Sequence, residues 1–492
     1  MPPPSSTPEP TPADGGVPFG EAVRAWVKVA VHSFGGPAGQ IAVMHRVLVE
    51  EKRWIGEARF LHALNYCMLL PGPEAQQLAT YVGWLLHRVK GGLVAGGLFI
   101  LPGFLSILAL SLLYAGFQET TAVQALFYGL KPAVLAVVAV AVVRIGRRAL
   151  RTPVMVALAA LAFVAIFFLA VPFPWIIGAA ALVGFLGARL RPAAFPDPAA
   201  DAGPVGGEGE GDPDRETRGS GAGREREAGA SAAREAAAPR PRVADALAAE
   251  IRPSLGRTAR TAAVWLAVWL APLALLRALL GPEDVFVREG LFFSKVAVVT
   301  FGGAYAVLAY VAQQAVDVFG WLAPGEMLDG LGMAETTPGP LIQVVQFVGF
   351  MGAYRHAEGL DPMLAGVLGS LVAAWATFAP CFLWIFAGAP WVETLRGKRS
   401  LATALSAITA AVVGVILNLA VWFGLNTLFA EVGTRVWHGV RLYVPAWSTL
   451  DPAAFVIAAL AFVALVRWKR GMIETLAASA AAGALYSLAT AG

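Results

Sequence analysis

Long windows without a charged residue dominate the pattern of hydrophobic and polar positions along the chain. A helix needs roughly 20 apolar residues to cross a bilayer, and several windows reach or approach that length. The longest window is interrupted by Pro172-Phe173-Pro174, which predicts two spans joined by a tight turn. The pattern therefore predicts an all-α polytopic membrane protein with apolar windows at residues 91–118, 152–188, 261–276, 362–392, 400–430, 452–466 and 475–492.

Two polar segments interrupt this pattern and predict the domain organisation. The N-terminal segment is rich in proline and lacks the apolar run of a cleavable signal. The segment between the halves is rich in Arg, Asp and Glu and has Phe195 as its single aromatic residue, so it cannot bury a core. We therefore expect a disordered tail (1–18), a first membrane repeat (19–190), a disordered charged cytoplasmic linker (191–257), a linking transmembrane helix (258–281) and a second membrane repeat (282–492).

Composition excludes most other classes of protein. Apolar residues make up 57% of the 492 positions and charged residues only 14%, too few to coat a soluble globule of this size. The net charge of +4 comes from basic residues that lie singly or in short clusters beside apolar runs, which indicates membrane topology rather than a nucleic-acid partner. Cys67 and Cys381 lie in apolar surroundings, and we predict that both are packing residues. We expect no metal site and no cofactor.

The two halves share a common sequence register, which predicts a duplication. At a separation of 267 positions, Phe34-Gly35-Gly36 matches Phe301-Gly302-Gly303, and Pro71-Gly72-Pro73 matches Pro338-Gly339-Pro340. The same separation joins Lys28 to Lys295, Ser33 to Thr300, Trp54 to Trp321, and Gln76 to Gln343.

The copies are predicted to be inverted. Six hydrophobic elements in each copy would make them parallel, but the extra helix at 258–281 reverses the parity. Cytoplasmic loops carry an excess of Lys and Arg, and this excess alternates with opposite phase in the two copies: residues 117–121 contain none, whereas their counterpart contains Arg396, Lys398 and Arg399. We therefore expect a multi-pass protein of the cell (inner or plasma) membrane, with the N-terminus and linker cytoplasmic and the C-terminus periplasmic or external.

The first two elements of each copy are longer than a bilayer core requires. Each runs about 30 residues, near 45 Å as a straight helix, and each is broken at mid-length by Phe-Gly-Gly or Pro-Gly-Pro. Re-entrant hairpins explain both properties and keep the flanking basic residues on the cytoplasmic side. Two full crossings are the alternative, and the parity is the same for both.

Broken helices at matching positions of inverted repeats indicate a midplane substrate site. A helix that restarts after such a break exposes free N–H groups and the positive end of its dipole, which favours an anion. The alternative interpretations are packing kinks for the glycines and prolines and lysines that extend to the membrane interface. The predicted substrate-binding residues are Lys28, Ser33, Gly35, Gly36, Gly72, Gln76, Gln77, Lys131, Lys295, Thr300, Gly302, Gly303, Thr337, Gly339 and Gln343.

Two acidic residues flank the Pro-Gly-Pro breaks at non-equivalent positions, Glu74 after the first and Glu335 before the second. A buried carboxylate can carry a proton, so both are candidates for proton coupling. Alternatively, Glu74 merely complements the dipole of the helix that it begins.

The quoted motifs resemble those of the chromate ion transporter family. The resemblance rests on Ser33-Phe34-Gly35-Gly36-Pro37, on Leu70-Pro71-Gly72-Pro73-Glu74, and on their second-copy versions at Thr300 and Thr337. It covers nearly the whole chain except the tail and linker, and it is similar to the long, two-domain type. The resemblance implies export of chromate from the cytoplasm, chromate resistance and proton-coupled exchange.

The expected mechanism is alternating access around a dianion held between the broken helices. The expected partners are chromate, with sulfate as a competitor of the same shape and charge, and membrane lipid. A homodimer is compatible with the sequence. A sulfate or oxyanion importer and a passive anion channel are the alternatives, whereas an enzyme is disfavoured because no catalytic or nucleotide-binding arrangement is present in the required context.

Overall fold

The computed structural model describes residues 16–34, 36–190, 243–244, 247, 251–301, 303–323, 325–392 and 399–490. Most of the tail and of the linker, together with Gly35 and Gly302, lie outside these residues. The helices of the first half are α1 (Phe19–His32), α2 (Gly36–His45), α3 (Glu57–Leu69), α4 (Glu74–Phe117), α5 (Thr121–Ala149), α6 (Pro153–Phe167) and α7 (Phe173–Leu190).

The second half follows a long apolar helix, α8 (Leu255–Leu280), and repeats the same order of elements. Its helices are α9 (Val285–Val299), α10 (Ala304–Gln313), α11 (Glu326–Thr336), α12 (Val344–His356), α13 (Pro362–Gly388), α14 (Arg399–Leu428), α15 (Pro452–Val466) and α16 (Met472–Thr490). Two short 3-10 helices, Leu341–Gln343 and Ala389–Trp391, begin α12 and extend α13.

The correspondence between the halves extends to single turns. The π-helical segment Arg46–Glu51 follows α2, and Gln314–Val318 follows α10. The same backbone hydrogen bond closes each segment, from Trp54 N to Leu48 O (2.9 Å) and from Trp321 N to Ala315 O (2.8 Å). A shared irregular turn of this kind is a stronger sign of duplication than helix order, since π-helix is rare.

The broken elements double back as hairpins. In the first one, Lys52 contacts Glu21 (2.8 Å) and Lys28 contacts Glu51 (2.6 Å), so the end of the π-helical segment lies beside α1. A straight element of that length would hold these residues tens of ångströms apart. We name the four hairpins A (residues 19–51), B (57–86), C (285–318) and D (326–356), and we call the turn between the two arms of each hairpin its tip.

An ion pair shows that hairpin D also doubles back. Arg355, near the end of α12, forms two hydrogen bonds of 2.6 Å with Glu326, the first residue of α11. The chain therefore enters and leaves this hairpin at the same level. Hairpin B leads into α4, whose helix is interrupted by non-helical backbone at His87 and Arg88, so that residues 74–86 form the second arm of the hairpin and residues 89–117 a separate long helix.

Among the described residues, seven helices are long and apolar enough to cross a membrane. They are the α4, α5, α7, α8, α13, α14 and α16 helices, and α6 and α15 are shorter apolar helices. Glycines bring the helices together, for example Gly129 on α5 against Gly483 on α16, as is common where helices pack in lipid. The fold class predicted from the sequence, an all-α polytopic membrane protein, is confirmed. The inverted relation of the repeats stays a prediction.

One element was not predicted. The α14–α15 connection forms an antiparallel hairpin of β1 (Val432–Trp437) and β2 (Val440–Pro445), with positive φ at both turn residues, His438 and Gly439. The backbone N–H of Arg441 donates to the Phe168 carbonyl (2.7 Å), so the β-hairpin covers the end of α6.

Candidate functional site

The tips of hairpins A and C begin with matched hydroxyl residues. Ser33 Oγ donates to the Val29 carbonyl, and Thr300 Oγ1 donates to the Val296 carbonyl, each at 2.6 Å. Both side chains are fully buried or nearly so. These bonds satisfy carbonyl groups at the ends of α1 and α9 that the helices leave free.

The tips of the two halves contact each other directly. The backbone N–H of Gly72, in the tip of hairpin B, donates to the Thr300 carbonyl in the tip of hairpin C (2.8 Å). The matched bond runs from Gly339 N, in the tip of hairpin D, to the Ser33 carbonyl in the tip of hairpin A (2.9 Å). Gly339 is the counterpart of Gly72, and Ser33 is the counterpart of Thr300, so exchanging the two halves converts one bond into the other. This exchange is the signature of a local two-fold relation.

Glycine is required at these tips for reasons of backbone geometry. The φ angles of Gly72 and Gly339 are +119° and +105°, and Gly303 has φ 101° and ψ 163°. The last combination is essentially restricted to glycine. A Cβ at Gly72 would lie 3.0 Å from Cys381 Sγ on α13, and one at Gly339 would lie 3.2 Å from the Gly103 Cα on α4. Each Pro-Gly-Pro tip thus packs on the long helix of the other half.

The arms that restart after the tips begin without side-chain caps. Pro73 before α4, Pro340 before the 3-10 helix that begins α12, and Gly303 before α10 make no side-chain hydrogen bond to the following turn. The first N–H groups of these arms carry the partial positive charge of a helix N-terminus. Gly36, which begins α2, also has a positive φ of 72°.

Buried side-chain amides surround the tips. Gln77 Nε2 donates to the Pro71 carbonyl (2.7 Å), Gln343 Nε2 to the Ile100 carbonyl of α4 (3.1 Å), and Gln76 Nε2 to Thr80 Oγ1 (3.0 Å). Gln40, which the sequence analysis missed, donates to the Gly339 carbonyl (2.5 Å). Among the described residues, the amide oxygens of all four have no hydrogen-bond partner. A half-turn of such an amide would present its NH₂ group instead, so the lining can adapt to an anion.

The two candidate proton carriers lie in different surroundings. Glu335, near the end of α11, accepts a hydrogen bond from Tyr305 on α10, just after the tip of hairpin C. Glu74 is half-buried in the first turn of α4, next to the tip of hairpin B. Thr337, in the tip of hairpin D, donates to the Ala334 carbonyl (3.4 Å).

The matched lysines lie away from the tips. Lys28 is exposed and paired with Glu51, and the hydrogen bond between them lowers the pKa of that carboxyl below its ordinary value. Lys295 is also exposed, and its Nζ lies 5.7 Å from the centre of the Tyr310 ring. Both positions agree with the alternative interpretation, in which the lysines extend along the surface of the helices.

Lys131 lies at a separate cavity. This cavity has a volume of about 200 Å³ and is bordered by α4, α5, α11, the end of α14 and the start of α15. Lys131 Nζ is 3.4 Å from Asp329 Oδ2, and Tyr114 OH donates to the same oxygen (2.9 Å). Asp329 and its neighbours Tyr114, Glu326 and Arg355 were missed by the sequence analysis, although an acidic residue in the apolar α11 sequence was the available signal.

Comparison with known proteins agrees with this architecture. Hairpins that meet tip to tip within a bundle of membrane-crossing helices define a multi-pass membrane protein of the transporter class. A family model described as "Chromate transporter" matches residues 20–185 and 288–484, so the chain belongs to the chromate transporter family. This family consists of transporters and not of enzymes.

Several curated proteins are similar over most of their length. A "Chromate transport protein" of Pseudomonas aeruginosa is 28% identical, over 88% of this chain and 89% of that protein. A "Chromate transport protein" of Cupriavidus metallidurans is 25% identical over 80% of each chain. A "Probable chromate transport protein" of Synechococcus elongatus is 26% identical, over 90% of this chain and 94% of that protein. No solved structure matches the chain.

Proposed function

We propose that the protein exports chromate from the cytoplasm across the cell membrane by alternating access, coupled to protons. The observation that carries this proposal is the reciprocal pair of hydrogen bonds between the tips, from Gly72 to Thr300 and from Gly339 to Ser33. Relatives named for chromate transport supply the substrate class. The substrate is a tetrahedral dianion.

The tip contacts give this mechanism a specific chemistry. A dianion that enters between the tips takes over the Gly72 and Gly339 N–H donors, so its oxygens replace the Thr300 and Ser33 carbonyl oxygens. Backbone donors in a buried, low-dielectric site bind an anion more strongly than the same donors do in water. The anion therefore separates the tips in the proposed bound state.

The two-fold relation of the tips supports an inverted arrangement of the repeats. In that arrangement, hairpins A and B enter from the cytoplasmic face and hairpins C and D from the external face. Opening one pair of hairpins at a time then exposes the same central site to either side. The N-terminus and the linker are cytoplasmic, and the C-terminus is external.

Export of a dianion is favoured by the membrane potential. Each negative charge that leaves a negative-inside cell releases about 2.3 kcal/mol per 100 mV. Few protons per cycle are therefore sufficient to drive export. Glu74 and Glu335 are the candidate carriers of these protons because both lie at the tips.

Uptake of labelled chromate by everted membrane vesicles tests the proposal, because the vesicle lumen corresponds to the outside of the cell. We expect uptake that responds to an imposed proton gradient and that sulfate competes with. Chromate flux that is unaltered when the proton gradient is collapsed would instead identify a passive channel. Sulfate uptake by intact cells, without any gain of chromate tolerance, would identify an oxyanion importer.

A further inference from the structure

The cavity at Lys131 joins the two halves through a pair of opposite charges. Lys131 lies on α5 of the first half, and Asp329 lies on α11 of the second half. Asp329 is only 2% exposed. Both Lys131 and Tyr114 contact its Oδ2 atom, and Oδ1 has no hydrogen-bond partner among the described residues. One carboxylate oxygen thus stays buried without compensation, which is costly for an ionised group.

The other acidic groups near Asp329 already accept hydrogen bonds from side chains. Glu326, on the same helix, is held by two hydrogen bonds from Arg355 of α12. Tyr128, three residues before Lys131 on α5, donates to Asp451, which precedes α15 (2.7 Å). Tyr486 of α16 stacks on Tyr128 with ring centres 5.8 Å apart. Lys131 is therefore the basic residue that both pairs with Asp329 and lines the cavity.

Lys131 is reachable from the cavity. Its side chain is 33% exposed, and it lines the cavity together with Gln118, Gln124 and Thr427. The cavity has a volume of about 200 Å³, and the carboxylates Asp329 and Asp451 also line it. In the proposed topology, the cavity opens to the outside of the cell, because the α4–α5 turn and the segment before α15 both lie on that face.

We propose that this cavity binds a tetrahedral oxyanion at Lys131 on the exit path, and that the oxyanion and the ionised Asp329 carboxylate compete for the lysine. The inference rests on the proposed function and adds a second anion site to it. A dianion bound at Lys131 lies close to the Asp329 carboxylate, and the two negative charges repel each other. Binding of the dianion therefore draws one proton from cavity water onto Asp329. Release reverses both steps, and the carboxylate returns to Lys131.

The sign of this linkage follows from the competition. The proton and the dianion bind together, so lowering the external pH tightens anion binding and slows release. Raising the external pH ionises Asp329, which displaces the anion from Lys131. A proton that accompanies the anion cannot drive exchange, so Asp329 acts in release, and the exchanged proton belongs to a group elsewhere in the site.

Equilibrium binding of labelled chromate to the purified full-length protein tests the inference. A single linked proton changes the affinity by up to about tenfold per pH unit. We expect the wild-type dissociation constant to fall steeply between pH 8 and pH 6, and the Asp329→Asn variant to bind tightly with a much flatter pH profile. Any protonation of chromate itself is common to both proteins and cancels in the comparison. Glu358→Gln, in the exposed loop before α13, is the matched control and should keep the wild-type profile.

The charge of Lys131 is tested in the same assay. Lys131→Gln should remove the site at Lys131, so that saturating chromate fills one site per protein instead of two, and Lys131→Arg should restore the second site. A wild-type pH profile in Asp329→Asn would overturn the inference while leaving the proposed function standing, and so would undiminished binding by Lys131→Gln. Absence of chromate binding by the folded wild-type protein would overturn both.

Discussion

Substitution of Gly303 by alanine isolates the backbone conformation of a tip from its packing. Gly303 has φ 101° and ψ 163°, and a Cβ built there would meet no atom within 4 Å. The cost of Gly303→Ala is therefore conformational. Holding a residue with a side chain in this region costs about 1–3 kcal/mol.

This cost destabilises the tip of hairpin C, which accepts the hydrogen bond from Gly72. The Thr300 carbonyl accepts this bond only three residues before Gly303. A penalty of about 1–3 kcal/mol lowers the ratio of the native tip to rearranged tips by roughly 5-fold to 150-fold. We expect chromate uptake by everted vesicles, normalised to protein amount, to fall within that range.

Gly97→Ala is the matched control. Gly97 lies within α4, and a Cβ there also meets no atom within 4 Å. Alanine is favoured over glycine in a helix by about 0.5–1 kcal/mol, so this variant should transport normally and melt at the same or a higher temperature. Wild-type transport by Gly303→Ala would show that the tip geometry does not matter for function, and the reasoning would be wrong.

Three further predictions concern charged groups. Lys131→Gln should abolish chromate resistance in cells without lowering protein abundance, because the lysine supplies charge to the anion; normal resistance growth would remove it from the path. Glu74→Gln and Glu335→Gln are each tested by the pH dependence of vesicle uptake, and the proton carrier is the one whose neutralisation flattens that dependence. An unchanged profile for Glu74→Gln would leave it as a dipole partner of α4. Arg355→Ala should destabilise the protein by about 3 kcal/mol, since it strands the poorly exposed Glu326, whereas Arg288→Ala, at an exposed pair with Glu283, should cost no more than about 1 kcal/mol in thermal unfolding. Equal effects of the two arginine variants would contradict the ranking by burial.

The helix breaks could be predicted because they depend on the residue types at the break itself. Gly72 and Gly339 have positive φ in the structure, and the flanking prolines indicate a turn at each position in the sequence. The shared register of the halves identified equivalent positions before any contact was known. The structure adds that the matched hydroxyls of Ser33 and Thr300 make the same bond within their own helices.

Contacts between the halves could not be predicted in the same way. The bond from Gly72 to Thr300 and the pair of Lys131 with Asp329 each join residues about 200 positions apart or more. Hydrophobic patterns specify that helices cross the membrane but not which helices become neighbours. In the sequence, Asp329 therefore looked like an isolated acidic residue, whereas in the structure Lys131 of α5 lies beside it. The β-hairpin was missed because its strands are short and largely exposed, although Val440, Leu442 and Val444 alternate in the second strand.

An anomalous difference map at the chromium edge, from crystals of the protein grown with chromate, would show whether the anion binds between the tips. We expect a chromium peak between the tips, within hydrogen-bonding reach of the Gly72 and Gly339 N–H groups through the chromate oxygens, with a second peak at Lys131 in the outward-open state. Peaks confined to the protein surface, with the Gly72–Thr300 and Gly339–Ser33 bonds intact, would contradict this expectation.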